Sequence, residues 1–252
     1  MEKVKDIIRT CVGFFWVFFA TVFFLPVGVI TLLMGCIGLK YIARRVMYKA
    51  IQYGTKLIVF SIGCKIVIRG HEDVPNKSMP GICFACNHSG IFDIIILFST
   101  LGQPCGFIAK KEILYVPGIN IWLLILGGIA LDRKNPRTAL QTINKCVDRL
   151  KHGFAMLIFP EGTRSKGRGL LPFKNGSFKM VTESKAPVVP VAITGSYEVF
   201  EKTGLVKSRT VYITYGKPIP TDEIPAEHAR QIISDKVRCE IDKMLKEHEV
   251  VS

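Results

Sequence analysis

The sequence predicts an α/β fold, a mixed sheet flanked by helices, with an N-terminal two-helix membrane-attachment motif. Three observations predict it. From about residue 64 onward, seven short β-type runs alternate with helical stretches. Residues 11–39 hold no charged side chain. The composition is 49% apolar yet carries 34 Lys and Arg against 20 Asp and Glu, which suits a basic protein lying on a greasy, anionic surface. At 252 residues the chain is long enough to bury a core without covalent staples.

The N-terminal region, residues 1–63, reads as membrane-associated helices. The uncharged run exceeds the roughly 20 residues that cross a bilayer core, and it is too long for the core of a cleavable signal. Lys3, Lys5 and Arg9 precede it, and Lys40, Arg44, Arg45 and Lys49 follow it, so basic residues flank both ends. Pro26 lies mid-run. Two helices bent there would enter one leaflet and return to the same face; a single span is the alternative. Residues 40–63 mix Lys and Arg with Ile, Val, Leu and Tyr in a helical pattern, as in an amphipathic helix at headgroup level or one packed on a soluble body.

Residues 64–252 form the α/β domain. The expected strands are 64–70, 82–87, 105–110, 128–132, 155–160, 187–193 and 209–216, rich in Val, Ile and Phe and bounded by Gly, Pro and Asn. One helix is marked by Asn135 as cap, Pro136 at its first position, a buried stripe of Ala139, Ile143, Cys146, Val147 and Leu150, and Gly153 as its stop. A terminal helix over 226–247 buries Ile233, Val237, Ile241 and Leu245.

The chemistry concentrates at strand ends. Asn87-His88-Ser89-Gly90-Ile91-Phe92-Asp93 follows an apolar strand and enters a helix, so His88 sits at the strand's end and Asp93 on the helix's opening turn. A spacing of five separates two side chains on a regular helix; pairing them needs a turn, which Ser89-Gly90 supplies. A carboxylate on one imidazole nitrogen fixes the tautomer, freeing the other nitrogen to take a proton from a hydroxyl. No Gly-x-Ser-x-Gly elbow is visible, leaving room for a substrate hydroxyl in place of an enzymic serine. Backbone amides near Ser89 and Gly90 are candidates for oxyanion donors.

Phe159-Pro160-Glu161-Gly162-Thr163-Arg164-Ser165 also follows a strand. Gly162 lets backbone amides approach a ligand, Thr163 and Ser165 add hydroxyls, and Arg164 offers the planar fork that fits a phosphate monoester. The alternative is a polar turn in which Glu161 and Arg164 pair with each other. Lys110-Lys111 and Asp132-Arg133-Lys134 follow other strands. Together these cations would draw an anion beside His88, although surface charge also explains an isolated Lys pair.

Asn87-His88 with Asp93, Gly127–Arg133 (GGIALDR), Phe159–Ser165 (FPEGTRS) and Val188–Ile193 (VVPVAI) resemble, in order, the four motifs of the glycerolipid acyltransferase family, and the FPEGTRS form resembles its 1-acylglycerol-3-phosphate members. The resemblance covers roughly residues 80–195. It implies that His88 and Asp93 are catalytic, and that Lys110 or Lys111, Arg133, Glu161, Gly162, Thr163 and Arg164 shape the acceptor and its phosphate. The implied reaction moves an acyl group from acyl-CoA or acyl carrier protein to the sn-2 hydroxyl of lysophosphatidate, making phosphatidate for phospholipid biosynthesis without a metal or other cofactor. Membrane phospholipids, lysophosphatidate and the thioester donor are the partners it implies. The implied location is a membrane, with the catalytic domain on the cytoplasmic side, as at the bacterial inner membrane. Ala130 and Leu131 stand where an aromatic or Ile is common in the second motif, an apolar exchange.

Other classes fit less well. A net charge of +14 would suit nucleic acid, but zinc-finger spacing and a basic heptad region are both lacking, so no nucleic acid is expected. The eight cysteines are scattered, several of them within apolar runs, and read as small buried hydrophobes. Cys83-Phe84-Ala85-Cys86 has redox spacing but no second ligand pair, and His71, His152, His228 and His248, in polar or terminal contexts with no motif around them, read as solvated, so no metal site is expected. Acylation of glycerol 3-phosphate or of another lysophospholipid is the alternative within the enzyme class. A non-catalytic membrane lipid-binding protein is the alternative outside it.

Overall fold

A computed structural model describes residues 2–75, 81–116, 120, 123, 126–132 and 135–249. Among the described residues, seven strands form one sheet in the order β1-β7-β6-β2-β5-β3-β4, with β1 Lys65–Arg69, β2 Cys83–Cys86, β3 Cys105–Lys110, β4 Ile129–Leu131, β5 Ala155–Ile158, β6 Val188–Thr194 and β7 Thr210–Tyr215. All seven lie within the runs read from the sequence, to within a residue. The pairings are parallel except β6 with β7, so the sheet is mixed as predicted. Strands β2 to β6 therefore end on one edge, where β7 begins.

Side chains alternate between the faces with the period of two that a strand imposes. Phe84, Cys86, Leu157, Val189 and Val191 share one core with Met47, Tyr48, Ile51 and Ile62. Cys83, Ala85, Met156, Ile158, Val188 and Ala192 share the other with Cys146, Leu150, Ile233, Val237 and Ile241. A sheet buried on both faces needs near-continuous apolar strands, which is why β2, β5 and β6 read as unbroken apolar runs.

Helices α1 Glu2–Phe23, α2 Leu25–Cys36 and α3 Lys40–Ser61 precede the sheet. The chain bends at Pro26 but does not reverse there. Phe24 keeps right-handed helical dihedrals, Phe24 N–H still reaches Ala20 O, and Gly28 N–H reaches Phe24 O. Pro26 falls in the first turn of α2, where a missing N–H costs nothing. The reversal comes at Gly38, whose φ of +88° suits glycine. From there α3 returns along both helices, setting Gly54 against Ala20 and Phe24 and Ile62 against Gly13. The hairpin expected at Pro26 is thus displaced by twelve residues, because a proline early in a helix is tolerated while a left-handed glycine ends one.

Glu2–Cys36 is long and apolar enough to cross a membrane, and little of its apolar 18-residue stretch is buried, 17%. Phe14, Phe15, Phe18, Phe23, Ile30 and Leu33 are among the side chains it exposes. The face of α3 bearing Met47, Tyr48 and Ile51 packs on the sheet, while Tyr41, Ile42, Tyr53 and Phe60 remain exposed.

Helix α4 Phe92–Thr100 follows β2, and α5 Pro136–Lys151 follows β4, capped as expected by Asn135, whose Oδ1 accepts from Arg137 N–H at 3.0 Å. The short helices α6 Lys179–Ser184 and α7 Ser196–Val199 precede and follow β6. Helix α8 Ala229–Glu249 closes the chain, starting three residues later than its periodicity suggests.

Near the end of α8, His248 is buried between β6 and β7, its ring nitrogens bonding Thr194 Oγ1 at 3.2 Å and Thr214 Oγ1 at 2.7 Å. Burial, with Arg69 nearby, holds its imidazole below the ordinary 6.5. Unfolding frees the ring to take up a proton, so its contribution to stability is full above pH 6.5 and is lost as pH falls through the lowered folded value. The melting temperature is expected to drop more steeply from pH 7 to pH 5 in the wild type than in His248→Gln; parallel curves would refute this.

Candidate active site

The parallel strands bring their C-terminal ends to one edge, and the site is built there. Where β2 ends, Asn87 replaces the ladder: its Nδ2 donates to Ile193 O at 3.0 Å and its Oδ1 accepts from Ile193 N–H at 2.8 Å. This clasp closes the strand and sends His88 out over the edge.

His88 and Asp93 meet, with Nδ1 2.7 Å from Asp93 Oδ2. The loop makes the spacing of five work. Asp93 is on the first turn of α4, and the chain before it folds back so that Ser89 N–H and Gly90 N–H donate to the same Oδ2, at 2.8 and 2.9 Å. The other oxygen accepts from Ser89 Oγ at 3.3 Å and from Ser196 Oγ, which comes from α7, 103 residues away. Asp93 is fully buried. Its neighbours are donors, and a carboxylate in the opening turn of a helix is favoured by the helix dipole. The buried group is therefore set up as an acceptor-only anion.

Both amides offered by the sequence as oxyanion donors are thus used by Asp93, which corrects that expectation. The carboxylate has claimed them.

With Nδ1 facing the carboxylate, Nδ1 carries the hydrogen and Nε2 has its lone pair outward. The ring stacks on Phe159, centroids 4.0 Å apart and planes 21° from parallel. That contact fixes the ring plane and offers a π face to an imidazolium. The two nearby serine hydroxyls bond Asp93, so neither is placed as a nucleophile on Nε2.

The turn after β5 locks against the His88 loop. Ser165 N–H donates to His88 O at 2.7 Å and Lys166 N–H to Ser89 O at 3.2 Å. Glu161 turns inward, its Oε1 accepting from His88 N–H at 2.6 Å and its Oε2 from Leu171 N–H at 3.1 Å. Burial pushes its carboxyl above the usual range, against the pull of those two amides. Glu161 does not pair with Arg164; Arg164 Nη1 lies 2.5 Å from Glu201 Oε1. Gly162 has a φ of +69°, and a Cβ there would meet Lys174 Nζ at 2.9 Å. Thr163 is exposed at the tip.

Lys110 is exposed at the end of β3, and Lys111 Nζ bonds Asp132 Oδ2 at 2.7 Å, raising its pKa and joining the ends of β3 and β4. Arg133 lies outside the described residues. The structure so brings His88, Asp93, Glu161 and Arg164 into one connected network, and sets Lys110 and Lys111 on the same sheet edge.

Ser196, Glu201 and Leu171 belong to that network without standing in any motif. Only Gly195, at φ +89° directly after β6, hinted at a turn that could aim Ser196 inward.

A family model described as acyltransferase matches residues 65–194, which holds all of these strand ends except that of β7. A 1-acyl-sn-glycerol-3-phosphate acyltransferase of Saccharomyces cerevisiae is 32% identical over 225 residues, 87% of this chain and 72% of the yeast protein. One from Borreliella burgdorferi is 30% identical over 76% of each chain. One from Cocos nucifera is 31% identical over 67% of this chain and 54% of its own, so the match spans about half the length of that plant relative. The crystal structure of the 1-acyl-sn-glycerophosphate acyltransferase of Thermotoga maritima superposes with a TM-score of 0.84 over 99% of this chain and 98% of that one, at 24% identity, a likeness of fold. By the span of the family match and by its similarity to the yeast and spirochaete proteins, this chain belongs to the acyltransferase family.

Proposed function

We propose that the chain transfers an acyl group from a thioester, acyl-CoA or acyl carrier protein, to the sn-2 hydroxyl of 1-acylglycerol 3-phosphate, yielding phosphatidate for phospholipid synthesis. The observation that carries this reading is an imidazole held by a buried, fully bonded carboxylate, with Nε2 turned outward and no enzymic hydroxyl bonded to it among the described residues. Such a base acts on a hydroxyl the substrate brings. Nε2 takes the acceptor's proton as its oxygen attacks the thioester carbonyl, the tetrahedral intermediate collapses, and the same proton goes to the departing thiolate. The names of the relatives support lysophosphatidate as acceptor.

Arg164, 40% exposed and reachable from solvent, supplies the fork for the acceptor phosphate, and Lys110 lies on the same sheet edge. Glu161 acts by position, holding His88's backbone. The apolar N-terminal helices attach the chain to the bilayer, its catalytic domain on the cytoplasmic side. The exposed Phe14 touches Phe200, and Phe200 touches the buried Phe92, so aromatic packing links the attachment helices to the helix that bears Asp93.

Arg164→Ala is expected to raise the KM for lysophosphatidate about 10- to 100-fold, the value of one charge-assisted hydrogen bond, while leaving the donor KM within about twofold. Steady-state kinetics with both substrates varied checks this, and equal rises in both KM values would remove the phosphate role. Crossing lysophosphatidate and glycerol 3-phosphate with acyl-CoA and acyl carrier protein tests the reaction itself.

A further inference from the structure

We propose that Glu201 is a positioning residue that sets the acceptor-phosphate arginine relative to the general base. The inference rests on the reading of Arg164 given above. Glu201 lies in the segment after α7, outside the four motifs, yet its carboxylate joins the two halves of the site. Oε1 takes Arg164 Nη1 at 2.5 Å, and Oε2 accepts from Ile91 N–H at 2.7 Å, at the start of the helix that carries Asp93. Its side chain is 15% exposed, so the pair is shielded more than a surface ion pair, while the side chain of Arg164 is 40% exposed. One nitrogen of the fork, Nη1, is thereby committed to the protein.

The loop is shaped to admit this carboxylate. A Cβ on Gly90 would lie 2.4 Å from Glu201 Oε2 and 3.3 Å from Tyr197 Cα, so the residue between Ser89 and Ile91 can carry no side chain while Glu201 occupies its place. The same few residues thus bind both partners: Gly90 N–H holds Asp93, and Ile91 N–H holds the group that holds Arg164. Because both anchors hang on one tight turn, the position of Arg164 relative to His88 depends on the Arg164–Glu201 pair and on the bond from Ile91 N–H to Glu201. A lysolipid carries its phosphate and its sn-2 hydroxyl on one three-carbon backbone. Its reaction requires a fixed spacing between phosphate fork and base, and misplacement by about 1 Å costs on the order of 100-fold.

Glu201→Ala, Glu201→Gln, Arg164→Ala and the double variant Arg164→Ala/Glu201→Ala are to be assayed as full-length protein with lysophosphatidate and acyl-CoA, with melting temperatures measured alongside. Glu201→Ala should raise the lysophosphatidate KM about tenfold and leave the donor KM within twofold. Glu201→Gln should also raise it, since a neutral amide oxygen can accept from only one of the two donors while its NH2 opposes the other. The double variant should be no worse for the acceptor than Arg164→Ala alone, because the carboxylate acts through the arginine. Additive losses in the double variant, or equal movement of both KM values and kcat, would overturn the proposal in favour of a merely structural Glu201. An unchanged acceptor KM in both Glu201 variants while Arg164→Ala raises it would overturn the proposal alone. An unchanged acceptor KM in Arg164→Ala would overturn the phosphate reading and this proposal with it.

Discussion

His88→Ala is expected to lower kcat by at least about 10³-fold while the protein stays folded and attached to lipid. General acid–base catalysis contributes on the order of 10²- to 10⁴-fold, and here one imidazole both takes the acceptor's proton and returns it to the thiolate. The variant should remain intact because the loop is not held by the ring. Asp93 Oδ2 keeps Ser89 N–H and Gly90 N–H, Glu161 keeps the amide of residue 88, and Ser165 N–H keeps its carbonyl. What is lost is one stacked contact with Phe159 and one bond to Asp93. Release of thiol from acyl-CoA, dependent on added lysophosphatidate, reports the chemistry, and vesicle co-sedimentation reports attachment. Residual turnover above about one per cent in a folded variant would remove His88 from the mechanism; loss of vesicle binding along with it would point to a structural effect instead.

How much of this was legible beforehand follows from which interactions are local. The strands stood out because a sheet covered on both faces needs unbroken apolar runs, and 155–158 and 188–194 are such runs. Their order in the sheet was not legible: β1 pairs with β7 across more than 140 residues, and no local property of Lys65–Arg69 names that partner. His88 and Asp93 stand out as residue types at strand ends, but Ser196, which donates to the other oxygen of Asp93, comes from a separate turn. The resemblance implies Glu161 as part of the acceptor site, and the alternative pairs it with Arg164 on a polar turn; neither gives it a backbone-holding role. Its inward direction depends on amides from residues 88 and 171, which tertiary structure alone brings to it. Pro26 misled for a related reason: proline marks where a helix can break, while the neighbours decide whether it bends or reverses.

The second large effect separates the charge of Asp93 from its scaffolding. Asp93→Asn is nearly isosteric, and one arrangement satisfies it. The amide oxygen must take the Oδ2 place, where His88 Nδ1–H, Ser89 N–H and Gly90 N–H all donate. The NH2 then takes the Oδ1 place, where Ser196 Oγ and Ser89 Oγ can rotate and accept in place of donating. The fold and the His88 tautomer can survive, but the anion that balances the imidazolium is gone. The expected result is a fall in kcat of about 10²- to 10⁴-fold with a small change in melting temperature. Asp93→Ala differs in kind, since it leaves the buried amide of Gly90 and the buried hydroxyl of Ser196 without their acceptor, at about 1–3 kcal/mol for each group left unsatisfied. It should therefore lose both turnover and stability. If Asp93→Asn kept near-normal kcat while Asp93→Ala lost it, the carboxylate would be a scaffold only, and the positive charge on His88 would need no partner.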